Sequence, residues 1–178
     1  TNGNAQWSNI RGGIAGASRL ASDGQTVYAF NPFGQYSSVA LYRVEAKTGG
    51  YNEWSSLKNT DFLLKDLWAA AGGEAVEKNT PHPAGLAAAG GRVFVSFSQL
   101  DTILVINAGT GEVEKKLSVP RPMDMVSRDG KQVFALSNAH EIVEVNVGDG
   151  QSRTVANLAL AEPEWGCGLA MDKAGRFY

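Results

Sequence analysis

Cysteine, histidine and long apolar runs are all scarce in this chain of 178 residues, and each shortage removes a class of protein. The single Cys167 cannot close an intrachain disulfide, so no disulfide framework holds the fold. No stretch approaches the roughly 18 apolar residues that a membrane-spanning helix needs. Basic charge is also thin: 16 Lys and Arg stand against 18 Asp and Glu, for a net charge of −2, and no basic run exceeds Lys115-Lys116. Without a basic stripe, nucleic acid is not an expected partner. The start Thr1-Asn2-Gly3 has no charged stretch followed by an apolar one, as expected of a mature chain or of a piece of a longer one. There is no Asn-x-Ser/Thr sequon, no Gly-x-Ser-x-Gly elbow, no phosphate-cradling loop, no H-E-x-x-H pair and no EF-hand loop.

What the chain does contain is glycine, 21 residues of it, among 43% hydrophobic and 19% charged residues. That composition suits a globular core with many tight turns. The glycines fall in a repeating frame. Four segments share a short apolar strand, a Gly-containing turn and a second strand ending in an aromatic: Leu20 to Tyr28, Leu86 to Phe94, Met125 to Phe134 and Leu169 to Tyr178. The last three aromatics recur at about 40–45 residues, a blade length for propellers. Asp23-Gly24, Gly90-Gly91 and Asp129-Gly130 supply the positive φ angles of hairpin turns.

A second hairpin follows in three repeats, turning at Thr48-Gly49-Gly50, Gly109-Thr110-Gly111 and Gly148-Asp149-Gly150. Its strands carry Ile103, Val105, Ile142, Val143 and Val145, β-branched as strands prefer. More polar outer strands follow at 112–118 and 151–158. Inner, second, third and polar outer strand make one blade. The sequence therefore predicts an all-β fold, a β-propeller of four-stranded antiparallel blades. An open sheet or sandwich also shows short strands, but does not need a fixed long period.

The expected blades are 14–57, 82–120 and 121–163, with a partial one at 164–178. An insert at 58–81 breaks the period. Within it, residues 61–72 read as a short helix capped by Thr60 or Asp61 and ended by Gly72, or as a strand pair. Phe62, Leu63, Leu67 and Ala70 would share its apolar face. The insert is expected to pack on the propeller, or to serve as a lid or contact element. About three and a half blades are fewer than most closed rings hold. The expectation is part of a six- to eight-bladed ring, completed by further blades of the same propeller or by an oligomer. A closed four-bladed ring, with residues 6–11 returning to finish the last blade, is the alternative.

The run Ile103-Leu104-Val105-Ile106-Asn107-Ala108-Gly109-Thr110-Gly111-Glu112-Val113, followed by Pro122-Met123-Asp124-Met125-Val126-Ser127-Arg128-Asp129-Gly130-Lys131-Gln132-Val133-Phe134, resembles the YVTN and NHL repeat propellers. Pro83-Ala84-Gly85-Leu86-Ala87 and Gly168-Leu169-Ala170-Met171-Asp172 fit the same pattern. Asp124 stands where that group carries Gly, and its N-R-I-Q-V-F signature is absent. Such motifs specify fold more than function.

The resemblance implies a binding face made of the connections into the inner strands and those between second and third strands. The entries offer His82, Arg121, Glu164 and Trp165; the other loops offer residues 31–36, 99–101 and 138–140, with Asp101, Asn138 and His140. His82, Arg121 and Glu164 stand at equivalent points, just before Pro83, Pro122 and Gly166. The expected function is a binding or scaffold propeller that recognises a protein or glycan through this face. One alternative is an extracytoplasmic lyase or lactone-type hydrolase with a channel site, since the group includes such enzymes. Another is a structural part of a larger assembly. No cofactor is expected, although His82 with Glu164 could hold a channel calcium or zinc. Cys167, between two glycines, reads as core. The expected location is periplasmic or secreted.

Overall fold

The computed structural model describes residues 19–31, 40–47, 62–75, 81–138, 140–159 and 168–178. Among these residues twelve strands form three four-stranded antiparallel sheets, each in sequence order from inner to outer strand. The first sheet is β1 (Arg19–Ser22), β2 (Thr26–Asn31), β3 (Ala40–Glu45) and β4 (Phe62–Leu63). The second is β5 (Gly85–Ala89), β6 (Arg92–Phe97), β7 (Thr102–Asn107) and β8 (Val113–Ser118). The third is β9 (Pro122–Ser127), β10 (Gln132–Ser137), β11 (Glu141–Asn146) and β12 (Ser152–Asn157). The start of a fourth blade follows, where Ala170 and Tyr178 exchange two backbone hydrogen bonds of 2.9 Å and Met171 bridges Phe177. The inner strands β1, β5 and β9 lie side by side.

The first sheet departs from its expected boundary. Its outer strand is the two-residue β4, inside the stretch read as an insert and beyond position 57. A two-residue strand has no period by which a sequence could announce it. The helix α1 (Leu64–Ala71) follows directly. Gly72, at φ 103°, turns the chain out of it, and the Gly72 and Gly73 amides donate to the Ala69 and Trp68 carbonyls. The proposed helix start at residues 60 and 61 lies outside the described residues.

Two apolar cores fill the gaps between blades. Tyr28, Phe30 and Leu41 of the first blade meet Val93, Val95, Phe97, Leu104 and Ile106 of the second. Leu67, Trp68 and Ala71 of α1 seal this core, with the Trp68 and Phe97 rings edge-on at 5.6 Å. The Trp68 indole donates to the Glu74 carbonyl at 2.8 Å, so its one polar atom is satisfied. The second core joins Phe94, Ile103 and Val105 to Met125, Val133, Ala135 and Val145. Strands β6 and β7 thus alternate between the two cores and bury both faces, which is why they read as unbroken apolar runs. The outer strand β8 is mostly exposed, and only Leu117 is fully buried along it.

Candidate functional site

The antiparallel order puts four kinds of connection at two ends. The starts of β5, β7, β9 and β11 share one end with the ends of β6, β8 and β10. His82, Asp101, Arg121, Asn138 and His140 all lie on this loop face. At the opposite end lie the hairpin turns at Asp129-Gly130 and after Asn107 and Asn146.

On the loop face, three non-glycine residues have left-handed backbone: Asp101 at φ 49°, Arg121 at φ 39° and Asn138 at φ 51°. They are bonded to one another. The Arg121 amide donates to Asp101 Oδ1 at 2.7 Å, and the Asn138 amide donates to the Arg121 carbonyl at 3.3 Å. Two further bonds tie down the same corner. The Val119 amide donates to the Asp101 carbonyl at 3.0 Å, and the buried Ser137 hydroxyl donates to the Pro120 carbonyl at 2.6 Å. Asp and Asn tolerate this backbone through their short polar side chains. Arg121 does not, and it also precedes Pro122, a position normally pushed to extended geometry. Such strain costs about 1–3 kcal/mol per residue and survives only where surrounding contacts over-determine it.

His140 joins this cluster through Ser137, whose carbonyl accepts the His140 amide at 3.1 Å; the His140 carbonyl accepts the Leu158 amide at 2.7 Å. His82 belongs to the neighbouring gap, where its ring stands edge-on to Phe30 at 6.0 Å and 89°. Four of the expected residues, Asp101, Arg121, Asn138 and His140, are therefore brought together. Glu164, Trp165 and Cys167 lie outside the described residues, as do the loop positions 32–36. Asx-type tolerance at Asp101 and Asn138 could be read from their residue types. The strain at Arg121 could not, because the tertiary bonds that enforce it come from loops 17 and 20 positions away.

A residue that the motifs singled out as a departure also finds its role. Asp124 Oδ2 accepts the Leu169 amide of the next blade at 3.0 Å. At the equivalent register position Gly85 has no room: a Cβ there would lie 2.3 Å from the Met123 carbonyl oxygen and 2.9 Å from Asp124 Cα.

The opposite end carries a groove of about 690 Å³ between the second and third blades, lined by Arg92, Glu114, Lys115, Lys131, Gln132 and Asn146 among others. Arg92, Glu114 and Lys115 are engaged within it. Arg92 Nε donates to Glu114 Oε2 at 2.8 Å, and this bond holds the Glu114 carboxyl below its usual range. Lys115 Nζ donates to the Val147 carbonyl at 2.9 Å and to the Gly148 carbonyl. Backbone amides, Lys131 first, likewise lower Asp129. Among the described residues no group of three or more His, Cys, Asp or Glu comes together as metal ligands would.

No family model matches the chain, and no curated protein matches it. Solved structures do. The hydrazine synthase of Kuenenia stuttgartiensis aligns with TM-score 0.56 at 16% identity, over 97% of this chain and 44% of that one. A glutaminyl cyclase of Myxococcus xanthus gives 0.53 at 12% identity, over 90% and 66%. The WD40 repeats of RRP9 give 0.51 at 9% identity, over 78% and 36%. The chain thus spans less than two thirds of each. At these identities the likeness concerns the fold: the three sheets and the partial fourth are part of a β-propeller.

Proposed function

We propose that this partial β-propeller is a binding module of the YVTN/NHL repeat type that holds a protein partner on its loop face. The observation that carries the proposal is the hydrogen-bonded trio Asp101, Arg121 and Asn138, all in left-handed backbone on that face. Strain maintained by several converging bonds is a mark of functional sites. A main chain fixed in this way also loses little entropy on binding. At the opposite groove, Arg92, Glu114 and Lys115 are already engaged in an ion pair and main-chain bonds. WD40 repeats among the similar structures agree with a binding role.

The repeat type and an extracytoplasmic location rest on the motif resemblance in residues 103–134; cell fractionation tests the location. We also propose that further blades, from the same polypeptide or from a second copy, complete the ring. The chain spans 44% of the hydrazine synthase and 66% of the glutaminyl cyclase with which it aligns, which supports this.

The test is affinity capture with the full protein from its native source, quantified by mass spectrometry. Substituting Gln99→Ala with His140→Ala on the loop face should reduce partner capture by about tenfold, the scale of one interface anchor. Lys131→Ala with Gln132→Ala at the opposite end should leave it unchanged. Equal capture by both variants would remove the loop face as the interface. Binding confined to an immobilised glycan array would assign a glycan in place of a protein.

A further inference from the structure

We infer that helix α1 is a positioning element for the loop face: through Trp68, Phe97 and Leu100 it presets the turn that carries Gln99 and Asp101, and with it the backbone of Arg121. The inference rests on the loop-face reading above and names what keeps that face in its binding shape.

The helix stands at the loop-face end of the first blade. Arg19, the first residue of β1, reaches the Ala84 carbonyl just before β5, so both blades begin at the same end. Leu63, the last residue of β4, pairs with Ala40, the first of β3, so α1 leaves β4 at that end. It then lies against β7. Helix α1 thus belongs to the connection from β4 to β5, as Arg121 belongs to the connection from β8 to β9.

The turn between β6 and β7 is held from two sides. It is a single 3-10 turn, Ser98–Leu100, flanked by Phe97 and by Asp101 in left-handed backbone. Phe97 is fully buried and meets the Trp68 ring, and Leu100 packs against the same core. On the other flank Asp101 accepts the Arg121 amide. The stretch 97–101 thus joins a ring contact with α1 to a bond that fixes Arg121. The Trp68 ring has one seat, because the Glu74 carbonyl takes its N–H and a Cβ on Gly73 would overlap the indole. Arg121 is the member of the trio that needs such support. A residue before proline prefers extended backbone, so Arg121 relaxes towards it when the Asp101 bond loosens. Gln99, exposed on the same turn, moves with it.

The test reads the Arg121 amide by hydrogen exchange on the full protein, together with partner capture. Trp68→Ala removes the support from the helix, and Leu100→Ala removes it from the turn. Each should quicken exchange at Arg121 about tenfold and lower capture by a similar factor. Trp68→Phe keeps a ring against Phe97 and should hold both near their native values. Val93→Ala opens a cavity in the same core at the other end of β6 and should change neither. An effect of Val93→Ala as large as that of Leu100→Ala would reduce the contact to general stability and overturn the inference. Leu100→Ala leaves α1 intact and decides the question if Trp68→Ala unfolds the chain: unchanged Arg121 exchange in it also overturns the inference. Capture lost in the Gln99→Ala and His140→Ala pair but kept in Leu100→Ala would sink the inference and leave the loop-face interface standing. Faster Arg121 exchange in Trp68→Ala and Leu100→Ala, with capture unchanged in every variant, would remove the interface and leave the support of Arg121 by α1 in place.

Discussion

Asp124 shows how one residue type decides a joint. Its neighbours in register, Gly85 and Gly168, have no side chain, and in the second blade the approaching Met123 carbonyl leaves no room for one. In the third blade the same position has space, and its carboxylate takes the Leu169 amide. Asp124→Ala should therefore leave that amide without an acceptor, at a cost of about 1 kcal/mol for a half-buried bond. Hydrogen exchange at Leu169 should quicken accordingly, with exchange in β6 and β7 unchanged. Tyr28 supplies a pH dependence. Burial, and then the nearby Asp23 carboxylate, push its phenol up to about 12. The folded state thus keeps a proton that the unfolded chain releases near pH 10. Stability from this group is complete below about pH 10 and is lost as pH rises towards 12. Urea melts should show the loss above pH 10 in the native chain and a smaller one in Tyr28→Phe. The trio at Asp101, Arg121 and Asn138 marks the limit of residue-level foresight. Each residue was a legible site candidate from its place before or between strands. That Arg121 would hold left-handed backbone runs against its own local rule, because the forces that fix it are tertiary.

Strands and turns were the most legible elements, since their signals are local: Asp-Gly and Gly-Gly pairs, β-branched runs and a polar outer strand. The expected outer strands at 112–118 and 151–158 correspond to β8 (Val113–Ser118) and β12 (Ser152–Asn157). The outer strand of the first blade escaped notice because β4 has two residues. Helix α1 shows why its apolar face mattered: Leu67 is fully buried and Trp68 nearly so against Phe97. Leu67→Ala should cost about 2–5 kcal/mol, as a cavity in a sealed core does. A thermal melt followed by Trp68 fluorescence measures it. Gly85→Ala tests the close approach of two inner strands. Its Cβ would press on main-chain atoms, which cannot swing aside as a side chain could. Destabilisation of about 1–3 kcal/mol is expected, the range for overpacking.

At the scale of the whole molecule, the start of the fourth blade already joins the third. Tyr178 stands exposed there, and Phe177 packs on Phe134 at 5.1 Å beside a smaller gap of about 270 Å³. Between blades, Arg19, Arg43, Ser96, Lys115, Asp124 and Arg128 each reach a main-chain atom of the blade that follows: Ala84, Ala108, Met123, Val147, Leu169 and Asp172 respectively. Every one of these grips points the same way along the chain. A joint made to a peptide group does not depend on the successor's side chains. Successive units can therefore diverge in sequence while their couplings persist, and a unit can be exchanged without redesigning the seam it leaves.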